Sequence, residues 1–258
     1  MADARPSRLV PLLAALIVGA VAADIARRVL VRGSAPPAAR PESTTVVAGR
    51  VAAPPPPDRR PGDTALAARR ARTLSRIAAE SAVTYLATSL PESDSAVRRW
   101  PDAKLLRPLR LAIVRAPEVR NFRESFVANV QWAVARWNGA MLPLSLGPAP
   151  DTVGADIVIT WVDRLDSSRT GRADLTWDRR GYLLHATVYL ATHTPQGQAL
   201  GGREMVALAL HEIGHALGLG HSPVREDALY PVTRAVELSD RDRRTARLLY
   251  SLPPGSLR

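Results

Sequence analysis

Apolar positions along this chain fall into two rhythms, one of period two and one of three to four, and each predicts an element. Residues 109–114 (LRLAIV) alternate and are β-branched enough for a strand. Residues 118–138 place Phe122, Phe126, Val130, Ala133, Val134 and Trp137 at spacings of three and four, which predicts a helix stopped at Asn138-Gly139. A short strand is expected over 142–146 and a strong one over 155–162 (ADIVITWV). Two more, 171–177 and 182–190 (YLLHATVYL), are joined through DRRG at 178–181. A helix over 202–219 turns Met205, Leu208, Ala209, Ile213 and Ala216 toward a core. Ser239 is a good N-cap for a last helix over 240–252, ended by Pro253-Pro254. The order is strand, helix, three or four strands, helix, loop, helix.

Upstream, Asp63 or Thr64 caps a helix expected to run to about residue 90, where Pro91 stops it. Leu74, Ile77, Ala78, Ser81, Tyr85 and Leu86 form its apolar stripe, and Arg69, Arg70, Arg72, Arg76 and Glu80 its solvated side. This segment reads either as an accessory helix packed on the main domain or as a propeptide-like element. Before it, residues 33–62 are Pro/Ala-rich, include four consecutive prolines at 54–57, and have almost no large apolar residues. Such a tract builds no core and reads as an extended spacer. Arg5 and Arg8 precede an apolar run at 9–23 (LVPLLAALIVGAVAA). That is short of the roughly 20 residues a spanning helix needs, and it suits the apolar core of a signal peptide with a small-residue site at Val21-Ala22-Ala23. Ile25, Val29, Leu30 and Val31 prolong the apolar character among Arg27, Arg28 and Arg32, so a cleaved signal and an uncleaved single N-terminal membrane anchor both stay open. Either predicts export, to a secreted, periplasmic or anchored location. The expected organisation is 1–32 signal or anchor, 33–62 linker, 63–99 accessory helical segment and 100–258 main domain.

Composition changes little of this. The chain has 258 residues, 46% of them hydrophobic, enough for a real core. The net charge of +11 invites a nucleic-acid reading, but Lys104 is the only lysine and the arginines are spread along the whole chain. With no basic block interleaved with aromatics, no nucleic-acid partner is expected. The absence of Cys excludes disulfides and thiol chemistry.

The chemistry concentrates in residues 211–221, HEIGHALGLGH, which hold three of the five histidines. His211 and His215 are four apart, so a helix sets both imidazoles on one face, about one turn apart. Glu212 lies beside them and can face a water without ligating. Gly218 can take φ > 0, end the helix and turn the chain, so that His221 returns as a third nitrogen ligand. Three protein ligands with one open position is the pattern of a catalytic zinc site; structural sites are usually closed by four ligands, often with Cys.

The spacing HExxHxxGxxH is the metzincin signature. Together with the element order, it makes residues 100–252 resemble the metzincin catalytic domain, matrixin-like members most closely. Further matches are DALYP at 227–231 and LSDRDRRTARLLY at 238–250. The resemblance implies an α+β fold: a twisted, mostly parallel sheet with an antiparallel edge strand, an active-site helix and a C-terminal helix. It implies one catalytic Zn²⁺ on His211, His215 and His221, Glu212 as general base, and a peptide or protein substrate hydrolysed by a monomer. Leu229 stands where the family has a Met under the zinc, and Leu of similar volume should largely serve. By analogy the turn Leu229-Tyr230-Pro231 walls a substrate pocket, and Tyr230 either donates to the reacting carbonyl or only packs. An extended substrate would add along a sheet edge near residues 182–190. His185 and His193 are expected to be ordinary satisfied or exposed histidines. Asp163, Asp166, Asp174 and Asp178 are available to Ca²⁺, but their scatter gives no support for a calcium site. A reading from another class is a peptide-binding module with structural zinc and little turnover. Glu212 argues against it, since a purely structural site needs no base.

Overall fold

The computed structural model describes residues 61–165 and 168–258. The apolar run at 9–23 and the Pro/Ala tract up to residue 60 lie outside them, as does Asp166. The described chain begins in α1 (Pro61–Ala79), rich in Ala and Arg, with Pro in the first turn where its missing N–H costs nothing. Its inward positions are Thr73 and Ile77, while Leu74, Ala78 and Ser81 of the expected stripe are exposed. The helix does not continue to residue 90. Thr84 turns its hydroxyl back on the Glu80 carbonyl, and the Tyr85 N–H donates to Thr245 Oγ1 (3.1 Å) rather than along the helix. A short α2 (Leu86–Ser89) and a 3₁₀ turn (Leu90–Ser93) follow, then β1 (Ala96–Val97). The expected single helix breaks because Tyr85 is drawn into the core, where its hydroxyl donates to Asp242 Oδ1 at 3.1 Å.

β2 (Leu109–Ile113) leads to α3 (Glu124–Asn138), six residues shorter at its start than the periodicity predicts. Asn121 takes φ 60° there and its amide donates to the Thr192 and Leu200 carbonyls, so tertiary bonds hold residues 118–123 as a loop. β3 (Leu146–Pro148) lies later than expected because the Asn138 side chain binds both the N–H and the C=O of Leu146, as a neighbouring strand would. β4 (Ile157–Val162), β5 (Gly171–Trp177), β6 (Leu183–Ala191) and α4 (Gly202–Ala216) fall where expected, to within three residues. The sheet order is β3-β2-β4-β6-β5, parallel except for the antiparallel β5 at one edge. This is the mixed α+β arrangement that the resemblance implied.

One expectation needs correction. Strand β6 is paired on both sides, so residues 182–190 offer no free edge; the open edge near α4 belongs to β5. The buried row of β4 (Ile157, Ile159, Trp161) and that of β6 (Ala186, Val188, Leu190) join Phe126, Val130, Ala133 and Trp137 of α3 and the apolar side of α4 in one core. In α5 (Asp240–Ser251) the Ser239 hydroxyl accepts from Asp242 N–H and the Asp242 carboxylate accepts from Ser239 N–H. The chain ends in β7 (Gly255–Ser256), antiparallel to β1.

The upstream segment is therefore not only helical, and it packs on the same unit. Arg70 and Arg76 donate to the Ser256 and Ser251 carbonyls, and buried Arg99 donates to Leu252 O at 2.9 Å. Trp100 is 0% exposed and its indole N–H donates to the carbonyl of Ala216, the last residue of α4. Trp100→Ala should cost about 3–5 kcal/mol in urea unfolding. A loss under about 1 kcal/mol, the scale of a surface substitution, would show that this segment is peripheral.

Candidate metal centre

The helix that carries the motif is closed at both ends. At its start, Glu204 Oε2 accepts from the Gly201 N–H. At its end, Gly218 N–H bonds His215 O and Leu219 N–H bonds Gly214 O, the pair of bonds of a Schellman turn. Gly218 has φ 96°, and a Cβ there would overlap the Arg98 carbonyl oxygen, so the position tolerates only Gly on two counts. The orphan carbonyls of the last turn find tertiary donors. Trp100 serves Ala216, and the Tyr250 hydroxyl serves Leu217 at 2.8 Å.

His211, His215 and His221 come together as the sequence predicts. Their ligand nitrogens lie within 4.8 Å of one another, and His211 Nε2 and His215 Nε2 are 3.0 Å apart. Every Nδ1 is already committed. That of His211 donates to Ala228 O at 2.8 Å, that of His215 to Leu219 O at 2.8 Å, and that of His221 to Glu92 Oε2 at 3.0 Å. A neutral imidazole protonated at Nδ1 has its lone pair on Nε2. Three lone pairs facing one another repel unless a cation sits among them, and neutral imidazoles suit Zn²⁺. Burial pushes the pKa of His211 down to about 4 and that of His215 to about 3, with the neighbouring rings acting in the same direction. Both are neutral at pH 7 and ready to ligate without displacing a proton. Among the described residues this is the one cluster able to hold a metal ion.

Glu212 is 4% exposed, and its Oε2 is buried with no hydrogen-bond partner. Its carboxylate presses on Gly171, the first residue of β5; a Cβ at 171 would overlap Glu212 Oε1. Burial raises its pKa to about 8, opposed by the positive charge of Arg169. An unpartnered buried carboxylate oxygen costs about 1–3 kcal/mol or more, and no hydrogen bond from its protein surroundings stabilises it there.

Below the helix, Leu229 is 0% exposed and sits against Gly214 and Trp137. It is the packed floor of the site and not a wall open to substrate; of the turn, Tyr230 is half-buried and Pro231 exposed. The turn is held from α5, because Asp242 Oδ2 accepts from Ala228 N–H at 2.8 Å. His185 is satisfied by the Ala155 carbonyl and Thr187, and buried His193 lies 2.6 Å from Asp163. Asp163 is also paired with Arg120, Asp174 with Arg172, and Asp178 caps its own turn. Glu92 and Gly171 were not singled out from the sequence. Neither has a spacing signal, since each meets the motif through a fold contact.

Residues 107–251, more than half of the chain, match the family model described as Matrixin. A 55-residue stretch is 42% identical to the metalloendoproteinase 2-MMP of Arabidopsis thaliana and covers 20% of this chain and 15% of that protein. The alignment thus spans far less than two thirds of that relative. With the match running from before β2 to the end of α5, and the histidine geometry inside it, this chain belongs to the matrixin family.

Proposed function

We propose that this protein is an exported zinc-dependent endopeptidase. The observation that carries the reading is the set of three histidine nitrogens within 4.8 Å of one another, next to a buried carboxylate oxygen with no hydrogen-bond partner. Zinc held by His211, His215 and His221 supplies Lewis acidity, activating water and polarising a peptide carbonyl. Glu212 takes the proton of the attacking water on Oε2 and returns it to the departing amine nitrogen. Burial raises its pKa, and a cation held by the neighbouring histidines would act in the opposite direction, favouring the ionised form that can take a proton.

An extended peptide adds antiparallel or parallel to the outer edge of β5, which among the described residues pairs with β6 alone. Since β5 starts at Gly171 under Glu212, a peptide laid along it passes the site. Tyr230 and Pro231 are the turn residues offered to its side chains. Export rests on the apolar run at 9–23 behind Arg5 and Arg8.

The purified full chain should contain one zinc per molecule and cleave casein or quenched peptides until a chelator is added. Glu212→Ala should keep the zinc and lose about 10²–10⁴-fold in kcat/KM. If wild type and Glu212→Ala are equally inert across a broad peptide library, the peptidase reading fails and a binding module stands in its place. Gly171→Ala tests the placement of the base. It should retain zinc by metal analysis yet lose on the order of 10²-fold in turnover, as the added methyl drives the carboxylate off position. Unchanged turnover would show that Glu212 need not sit against β5.

A further inference from the structure

The three ligands are not held alike. His211 and His215 are fixed by a helix, and their Nδ1 acceptors are backbone carbonyls from the same stretch of chain. His221 sits on the loop after Gly218, with 34% of its side chain exposed, and its Nδ1 acceptor is a side chain 129 residues away. Glu92 Oε2 accepts from the backbone N–H of His221 at 3.0 Å as well as from its Nδ1 at 3.0 Å. The loop also lies close on the 3₁₀ turn that carries Glu92. A Cβ at Gly220 would stand 2.7 Å from Ser89 Cβ and 3.1 Å from Glu92 Oε2. Glu92 lies outside residues 107–251, the span matched by the family model.

We propose that Glu92 is a positioning residue for the metal centre: one carboxylate oxygen grips the backbone and the ring of His221 together and so presents its Nε2 to the metal. Two hydrogen bonds to one oxygen fix both where the loop runs and how the ring is turned about χ1 and χ2. The acceptor selects the tautomer protonated on Nδ1, and its negative charge makes the opposite nitrogen a better donor to a cation. A loop ligand left without such a partner would have to be ordered by the metal itself, at the expense of affinity. The proposal rests on the zinc reading above.

The test is zinc affinity of the full chain, measured by competition with a chromophoric chelator. Glu92→Ala should bind zinc about 10–100-fold more weakly than wild type. In a His221→Ala background the same change should do nothing further, because the route through His221 is already gone. Glu92→Gln keeps an acceptor oxygen and should recover most of the loss. Wild-type affinity in Glu92→Ala, an equal loss in both backgrounds, or a Gln variant as weak as the Ala variant would each overturn the proposal. Should Glu92→Ala fail to fold, ¹⁵N spectra of the zinc-loaded wild type decide. His221 protonated at Nδ1 and bound through Nε2 is expected, and metal on Nδ1 refutes it. A wild type that takes up no zinc sinks the metal centre as a whole, a result distinct from a zinc protein indifferent to Glu92.

Discussion

A histidine presents a lone pair to an ion from one nitrogen only when the other is given something to do. This fold settles that choice three times, with acceptors from three places: the Ala228 carbonyl, the Leu219 carbonyl and the Glu92 carboxylate. Each acceptor is itself held. Ala228 is positioned through its N–H on Asp242, and Asp242 by the Ser239 cap and the Tyr85 hydroxyl. Leu219 is aimed by the left-handed turn at Gly218, and Glu92 by the 3₁₀ turn beneath the loop. The site therefore depends on side chains well outside it, because a ring turned by half a revolution offers a C–H, and the other tautomer an N–H, where a lone pair is needed.

Holding such a site together works against stability. Two imidazoles are desolvated, though cheaply, since both stay neutral with Nδ1 satisfied. The greater strain is Glu212, a carboxylate shut between helix and strand with one oxygen unanswered. The surrounding core offsets this, with Met205, Ala209, Leu210 and Ile213 all buried on the same helix as the motif. Gly214 shows how close the two demands come. Its lack of a side chain lets Leu229 and Trp137 pack against the helix between two metal ligands. Leu in place of the family's Met fills that floor without any polar atom to satisfy.

What could be seen in the sequence was whatever repeats locally. The i, i+4 histidines, the Gly218 turn, the Ser239 cap and the strand at Gly171–Trp177 all follow from spacing and residue type. What could not be seen depends on partners far along the chain. The helix expected to reach residue 90 breaks where Tyr85 leaves to meet Thr245 and Asp242. The start of α3 is lost to Asn121, whose amide prefers two carbonyls near residues 192 and 200. The open edge lies on β5 and not on β6, because alternation alone does not tell which strand of a hairpin ends a sheet. Glu92 reads as one more surface acid until the fold sets it against His221.

The same long-range contacts bear on what the segment before the family span is for. Four of its residues meet successive parts of the metal-site architecture: Tyr85 at Asp242, Glu92 at His221, Arg98 O against Gly218, and Trp100 at the last carbonyl of α4. A propeptide must leave for the site to work, so its contacts should be superficial and its departure should uncover little apolar surface. Here departure would empty the places of two fully buried aromatic side chains, strip the Nδ1 partner from one ligand and leave an α4 carbonyl without its donor. Emptying one buried aromatic site costs about 3–5 kcal/mol, against a total stability of about 5–15 kcal/mol for a domain of ordinary size. Residues 84–100 thus share the core and the hydrogen bonds of the centre, through contacts that begin before the span matched by the family model.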